Sequence, residues 1–144
     1  MRVKCLNREL TEEQRLLFNV PPLFRSKYQI SIGEEYLVLG ISFEVNSPVY
    51  GHTALFEILN DAGLYLSIPA ALFEIMDGRC SSFWEARLYK EGAVAMWPSE
   101  FYEPHFHDDL SNGETETRKV FESVLTKMKA EFGDGSARGR VHSC

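Results

Sequence analysis

The chain has 144 residues, 44% hydrophobic and 12% aromatic, which suits one packed domain and excludes a largely disordered chain. Its formal charge of −6 opposes general binding to nucleic acid or to an anionic membrane surface. No apolar run approaches the ~20 residues of a membrane helix, residues 1–10 lack the apolar core of a secretory signal, and Cys5, Cys80 and Cys144 are too few and scattered for a disulfide framework or a zinc site, so a reducing cytoplasm is the expected compartment.

Residues 2–6 suit a short strand. Thr11 followed by Gln14 forms a capping box, so a helix is predicted over about residues 12–18, ended by Pro21 and Pro22. EYLVLGISFEV alternates as a strand, with Leu37, Leu39, Ile41, Phe43 and Val45 on one face. The other face carries Tyr36, Val38, Gly40, Ser42 and Glu44 and is half wet. TALFEIL puts Ala54, Phe56 and Ile58 on one side. The turn residues Asn60-Asp61-Ala62-Gly63 then lead into LYLSI and predict a hairpin.

Pro69 opens AALFEIM, which reads as one or two helical turns closed by Gly78. FWEARLYK and AVAMW predict a second hairpin around Glu91-Gly92, with Trp84, Ala86 and Leu88 facing inward. After a long connection comes the best helix, ETETRKVFESVLTKMKAEF. Phe121, Val124, Leu125, Met128 and Phe132 form its apolar stripe, and Gly133 stops it. The pattern predicts an α+β fold, an antiparallel sheet of about five to seven strands with a short N-terminal helix and a C-terminal helix on one face. Residues 1–133 read as one domain and 134–144 as a flexible tail.

One cluster invites a metal reading: EPHFHDDL, at residues 103–110, carries His105, His107 and Asp109. This order matches the opening of the His-x-His-x-Asp-His run of metallo-β-lactamase-like hydrolases. It departs from that run at Leu110, and only His142 follows as a later imidazole. No phosphate-binding glycine loop occurs, and Cys80 has no spacing that ties it to a histidine. The expected cofactor complement is none.

Charge distribution is more informative. Between Lys90 and Arg118 there is no lysine or arginine, while seven acids occur: Glu91, Glu100, Glu103, Asp108, Asp109, Glu114 and Glu116. Those seven charges exceed the net −6, so the rest of the chain is nearly balanced. Trp97, Phe101, Tyr102 and Phe106 are interleaved with them. Aromatic anchors ringed by carboxylates fit a protein interface that steers a basic partner. The expected contact set is Trp97, Glu100, Phe101, Tyr102, Glu103, Phe106, Asp108 and Asp109. The competing reading tucks these rings under the sheet.

Residues 33–84 resemble a small family of bacterial single-domain proteins of the immunity-protein class, which sit beside polymorphic toxins. IGEEYLVLGISF and FEILNDAGLYLSIPAALFEIMDGRCSSFW carry the resemblance, above all Pro69-x-x-Leu72-Phe73-Glu74-Ile75, Asp77-Gly78-Arg79 and Ser82-x-Trp84. The resemblance implies binding rather than chemistry, with a basic toxin domain as partner. Two alternatives stay open: a metal-dependent enzyme using His105, His107 and Asp109, and a small-ligand-binding domain.

Overall fold

A computed structural model describes residues 1–21 and 27–133. Pro22 and the expected tail at 134–144, with His142 and Cys144, lie outside the described residues. The chain order is β1 (Arg2–Cys5), α1 (Glu12–Leu17), β2 (Glu35–Leu37), β3 (Gly40–Ser47), β4 (Gly51–Leu59), β5 (Tyr65–Pro69), β6 (Phe73–Asp77), β7 (Trp84–Leu88), β8 (Val94–Pro98), α2 (Phe106–Ser111) and α3 (Thr115–Phe132). Short 3₁₀ turns at Ala70–Leu72 and Ser99–Tyr102 follow β5 and β8. The fold is α+β, as the sequence predicts.

All pairings are antiparallel. One sheet has the order β2-β1-β6 and the other β5-β4-β3-β8-β7. β2 and β3 are consecutive in the chain, as are β5 and β6, so two bent ribbons run from one sheet into the other. The corner of the first ribbon is visible in two bonds. Val38 N–H donates to Met1 C=O (3.0 Å), while Leu39 N–H donates to Glu57 C=O (2.8 Å). Adjacent residues thus belong to different sheets.

That corner flips the alternation expected across EYLVLGISFEV, because a one-residue phase change moves every later side chain to the other face. Tyr36, Val38 and Ile41 enter a first core between the sheets, with Val3, Cys5, Phe56, Ile58, Ile68 and Phe73. Leu39 enters a second core and Leu37 packs against it. Phe43 and Val45, expected inside, are 42% and 50% exposed.

The second core lies on the opposite face of the five-stranded sheet. There α3 buries Phe121, Val124, Leu125, Met128 and Phe132, the whole predicted stripe. Glu114 caps the helix by accepting from Thr117 N–H at 3.0 Å, and Gly133 ends it at a φ of 63°. α1 forms as its capping box predicts, with Gln14 N–H donating to Thr11 Oγ1 at 3.1 Å and Thr11 N–H to Gln14 Oε1 at 2.9 Å.

Three local expectations are corrected. AALFEIM is one 3₁₀ turn and then β6, because Phe73 and Ile75 pair with Cys5 and Val3 of β1 and that ladder outweighs local helix propensity. The long connection before α3 holds a 3₁₀ turn and α2 rather than a loop. Ala86 and Leu88, expected to face inward, are exposed because β7 is the last strand of its sheet and the first core ends at its neighbours.

Candidate functional site

The base-free stretch folds over the second core. From β8 the chain enters the Ser99–Tyr102 turn, which drives Phe101 inward to 1% exposure. His105 then adopts a left-handed φ of 64° at the head of α2, redirecting the chain so that Phe106 is buried at 4% exposure. Phe101 stacks on Phe106 at 4.8 Å and on Phe121 at 5.9 Å, and Tyr65 meets both Phe101 and Phe121 edge-on at 5.8 Å. Tyr102 is tied down differently. Its hydroxyl reaches Glu85 C=O at 2.6 Å and Ala95 C=O at 2.9 Å, and the Arg87 guanidinium lies 4.0 Å above its ring.

These placements correct the expected contact set. Phe101 and Phe106 are core residues and cannot project into a partner. Phe101, Phe106 and half-buried Trp97 and Tyr102 instead form the floor and walls of a shallow cleft of about 290 Å³, together with Glu103 and Asp108. His105 and His107 also line it. Glu100 belongs to a neighbouring groove of about 500 Å³ between the 3₁₀ turn, α2 and α3. That groove places Glu100, Glu103 and Glu116 around an apolar floor of Phe106 and Val120, with Arg87 and Thr117 on its walls. Glu103 and Phe106 are shared by both depressions. Asp109 lines neither and lies in the first turn of α2, where a carboxylate suits the helix dipole.

The structure does not group His105, His107 and Asp109 as a ligand set. His105 is exposed at the head of α2. His107 instead packs among rings, 4.7 Å from Trp97 and 5.4 Å from Tyr65. Among the described residues no three histidine, cysteine or acidic side chains are grouped as metal ligands. Burial lowers the His107 pKa, opposed by the nearby Asp108 carboxylate, so the imidazole is held towards its neutral form. Cys5 is a buried free thiol.

Sequence reasoning missed a strongly perturbed side chain of this region. Glu57 lies in β4 on the face covered by the helices and is 2% exposed. Its Oε1 accepts from Ser42 Oγ at 2.7 Å. Burial pushes its carboxyl up to about 7, with the hydrogen bond from Ser42 opposing that rise. Among the described residues, Glu57 Oε2, Tyr65 Oη, Trp97 Nε1 and His107 Nε2 are all buried without a direct hydrogen-bond partner. Gly40 makes room for this arrangement, since a Cβ there would collide with Glu57 Oε2 and the Trp97 ring. The available signal was a single glutamate inside TALFEIL, a run apolar enough to be buried on both faces.

Comparison with protein-family models, with curated proteins and with solved structures gives no match to this chain.

Proposed function

We propose that this protein is a non-enzymatic binding module whose acidic groove receives a basic segment of a protein partner. The convergence of Glu100, Glu103 and Glu116 around the floor of Phe106 and Val120 carries this reading. Three carboxylates at one groove attract a lysine or arginine, and an apolar floor accommodates the methylene stem beneath the charged head. The shallow cleft across Glu103 extends the same surface toward Trp97 and Tyr102. Seven acids without a base between Lys90 and Arg118 bias long-range encounter toward a cationic partner. Together with the resemblance of residues 33–84, this supports an immunity protein that neutralises a basic toxin domain in the bacterial cytoplasm.

The test is titration calorimetry of the purified chain against the product of the gene adjoining its own, over a range of salt concentrations. The expected complex is tight at low salt and weakens steadily as salt screens the carboxylates. Replacing Glu100, Glu103 and Glu116 together with glutamine weakens it at least about tenfold, mainly through slower association. Absence of a complex at low salt, or one indifferent to both salt and the triple replacement, overturns the reading.

A further inference from the structure

β7 ends the five-stranded sheet with one side unpaired among the described residues. It pairs with β8 in regular register, Trp84 opposite Pro98 through Leu88 opposite Val94, and has neither the bulge nor the internal proline that blunts natural edges. Tyr89 N–H donates to Ala93 C=O at 2.8 Å, extending that ladder by one step. Hydrogen-bonded positions alternate along an antiparallel strand, so the backbones of Arg87 and Glu85 turn toward β8. Those of Ala86 and Leu88 turn outward. Glu85, Ala86, Arg87 and Leu88 are all exposed, Leu88 at 76%.

The sequence of this edge is complementary to its own reverse. In WEARL, Glu85 and Arg87 are equidistant from Ala86. An antiparallel second copy centred on Ala86 brings Glu85 opposite Arg87 twice, Trp84 opposite Leu88 twice, and Ala86 opposite itself. Both charged side chains are about half exposed and are already 3.6 Å apart on one face, so the two copies join four alternating charges. Tyr102 holds the Arg87 guanidinium in place from below. On the opposite face Leu88, Val94 and Phe43 lie side by side across three strands, with Leu88 and Phe43 exposed. Trp84 of the second copy would extend this apolar row beyond Leu88.

We infer that the β7 edge is a homodimer interface, in which two copies of this chain pair antiparallel through residues 84–88 to form one ten-stranded sheet. Charge selects the second copy over an arbitrary strand, because the edge presents Glu and Arg in the order that only a reversed Arg-x-Glu partner satisfies. Ala86 exchanges both backbone hydrogen bonds with Ala86 of the second copy. Pairing through a single edge buries little area, so the dimer is a concentration-dependent one, with a Kd on the order of micromolar or weaker.

Sedimentation equilibrium of the full chain, from micromolar to millimolar concentration, tests this. The mass is expected to rise from 16.5 kDa toward twice that value. Arg87→Glu sets like charges opposite each other and weakens association at least about tenfold. The double replacement Glu85→Arg with Arg87→Glu restores association, since reversing both charges keeps every pair matched. Ala86→Pro removes an outward N–H without breaking the β7–β8 ladder and abolishes the dimer. A wild-type chain that stays monomeric throughout overturns the inference. So does a dimer that Arg87→Glu leaves unchanged, or one that the double replacement fails to recover from the single.

Discussion

A carboxyl group kept neutral by burial makes stability fall as pH rises, because the unfolded chain releases the proton first. Glu57 is such a group, with an ordinary value of 4.5 that the fold pushes up to about 7. Below pH 4.5 both states hold the proton and the native contacts count in full. Between 4.5 and about 7 the unfolded chain ionises and the native one does not, so stability declines across that window and levels off above it. The full loss is on the order of 3 kcal/mol. His107, which shares the Tyr65 and Trp97 rings, slopes the opposite way, since its lowered pKa costs stability as pH falls. Glu57→Gln keeps the neutral shape and removes only the carboxyl's contribution. Urea unfolding at pH 5 and pH 8 should therefore show the variant gaining on wild type at pH 8 by roughly 2–3 kcal/mol. Equal pH dependence in the two proteins would refute the assignment.

At the scale of elements, the 3₁₀ turn at Ser99–Tyr102 and helix α2 turn a polar, acidic stretch into the roof of the second core. Phe101 is its central peg, packed against Phe106, Phe121 and Tyr65. Phe101→Ala is thus expected to cost about 3–5 kcal/mol of stability, measured by denaturant unfolding, as expected for a large ring removed from a packed site. A loss of partner affinity at unchanged stability would instead return Phe101 to the surface role its sequence position suggests. The elements that were legible in the sequence are those whose periodicity is local. α3 has its stripe, its acidic start and its terminal glycine, and the two hairpins have their turn residues. β6 was not legible, because AALFEIM becomes a strand only by pairing with β1, some seventy residues earlier in the chain. The phase flip at Val38–Leu39 was hidden for the same reason, since it depends on where Met1, just before β1, and Glu57 of β4 lie. Of the candidate site, the acids were readable from composition. The burial of its rings was not, because a loop aromatic looks the same in sequence whether it points out or in.

Across the whole molecule, one sheet serves two cores. β3, β4 and β5 give Ile41, Phe56, Ile58 and Ile68 to the core between the sheets, and Leu59 and Tyr65 pack against the core under α3. Neither core can come apart without exposing a face of the same central strands, which are hydrogen-bonded to each other along most of their length. Glu57 and Ser42 project from those strands beside Trp97 and Tyr65, so opening the second core, against which both rings pack, also exposes a buried carboxyl to water and ends its perturbation. The two halves are therefore expected to unfold as one cooperative unit. Near-ultraviolet dichroism reports on the ring cluster around Phe101, Tyr65 and Trp97, and far-ultraviolet dichroism on the sheets. Their thermal midpoints should coincide, and Phe101→Ala in one core and Ile58→Ala in the other should lower the same single transition. Two separated transitions, with each variant moving only its own, would mean that the helical roof and the small sandwich beneath it are independent folding units.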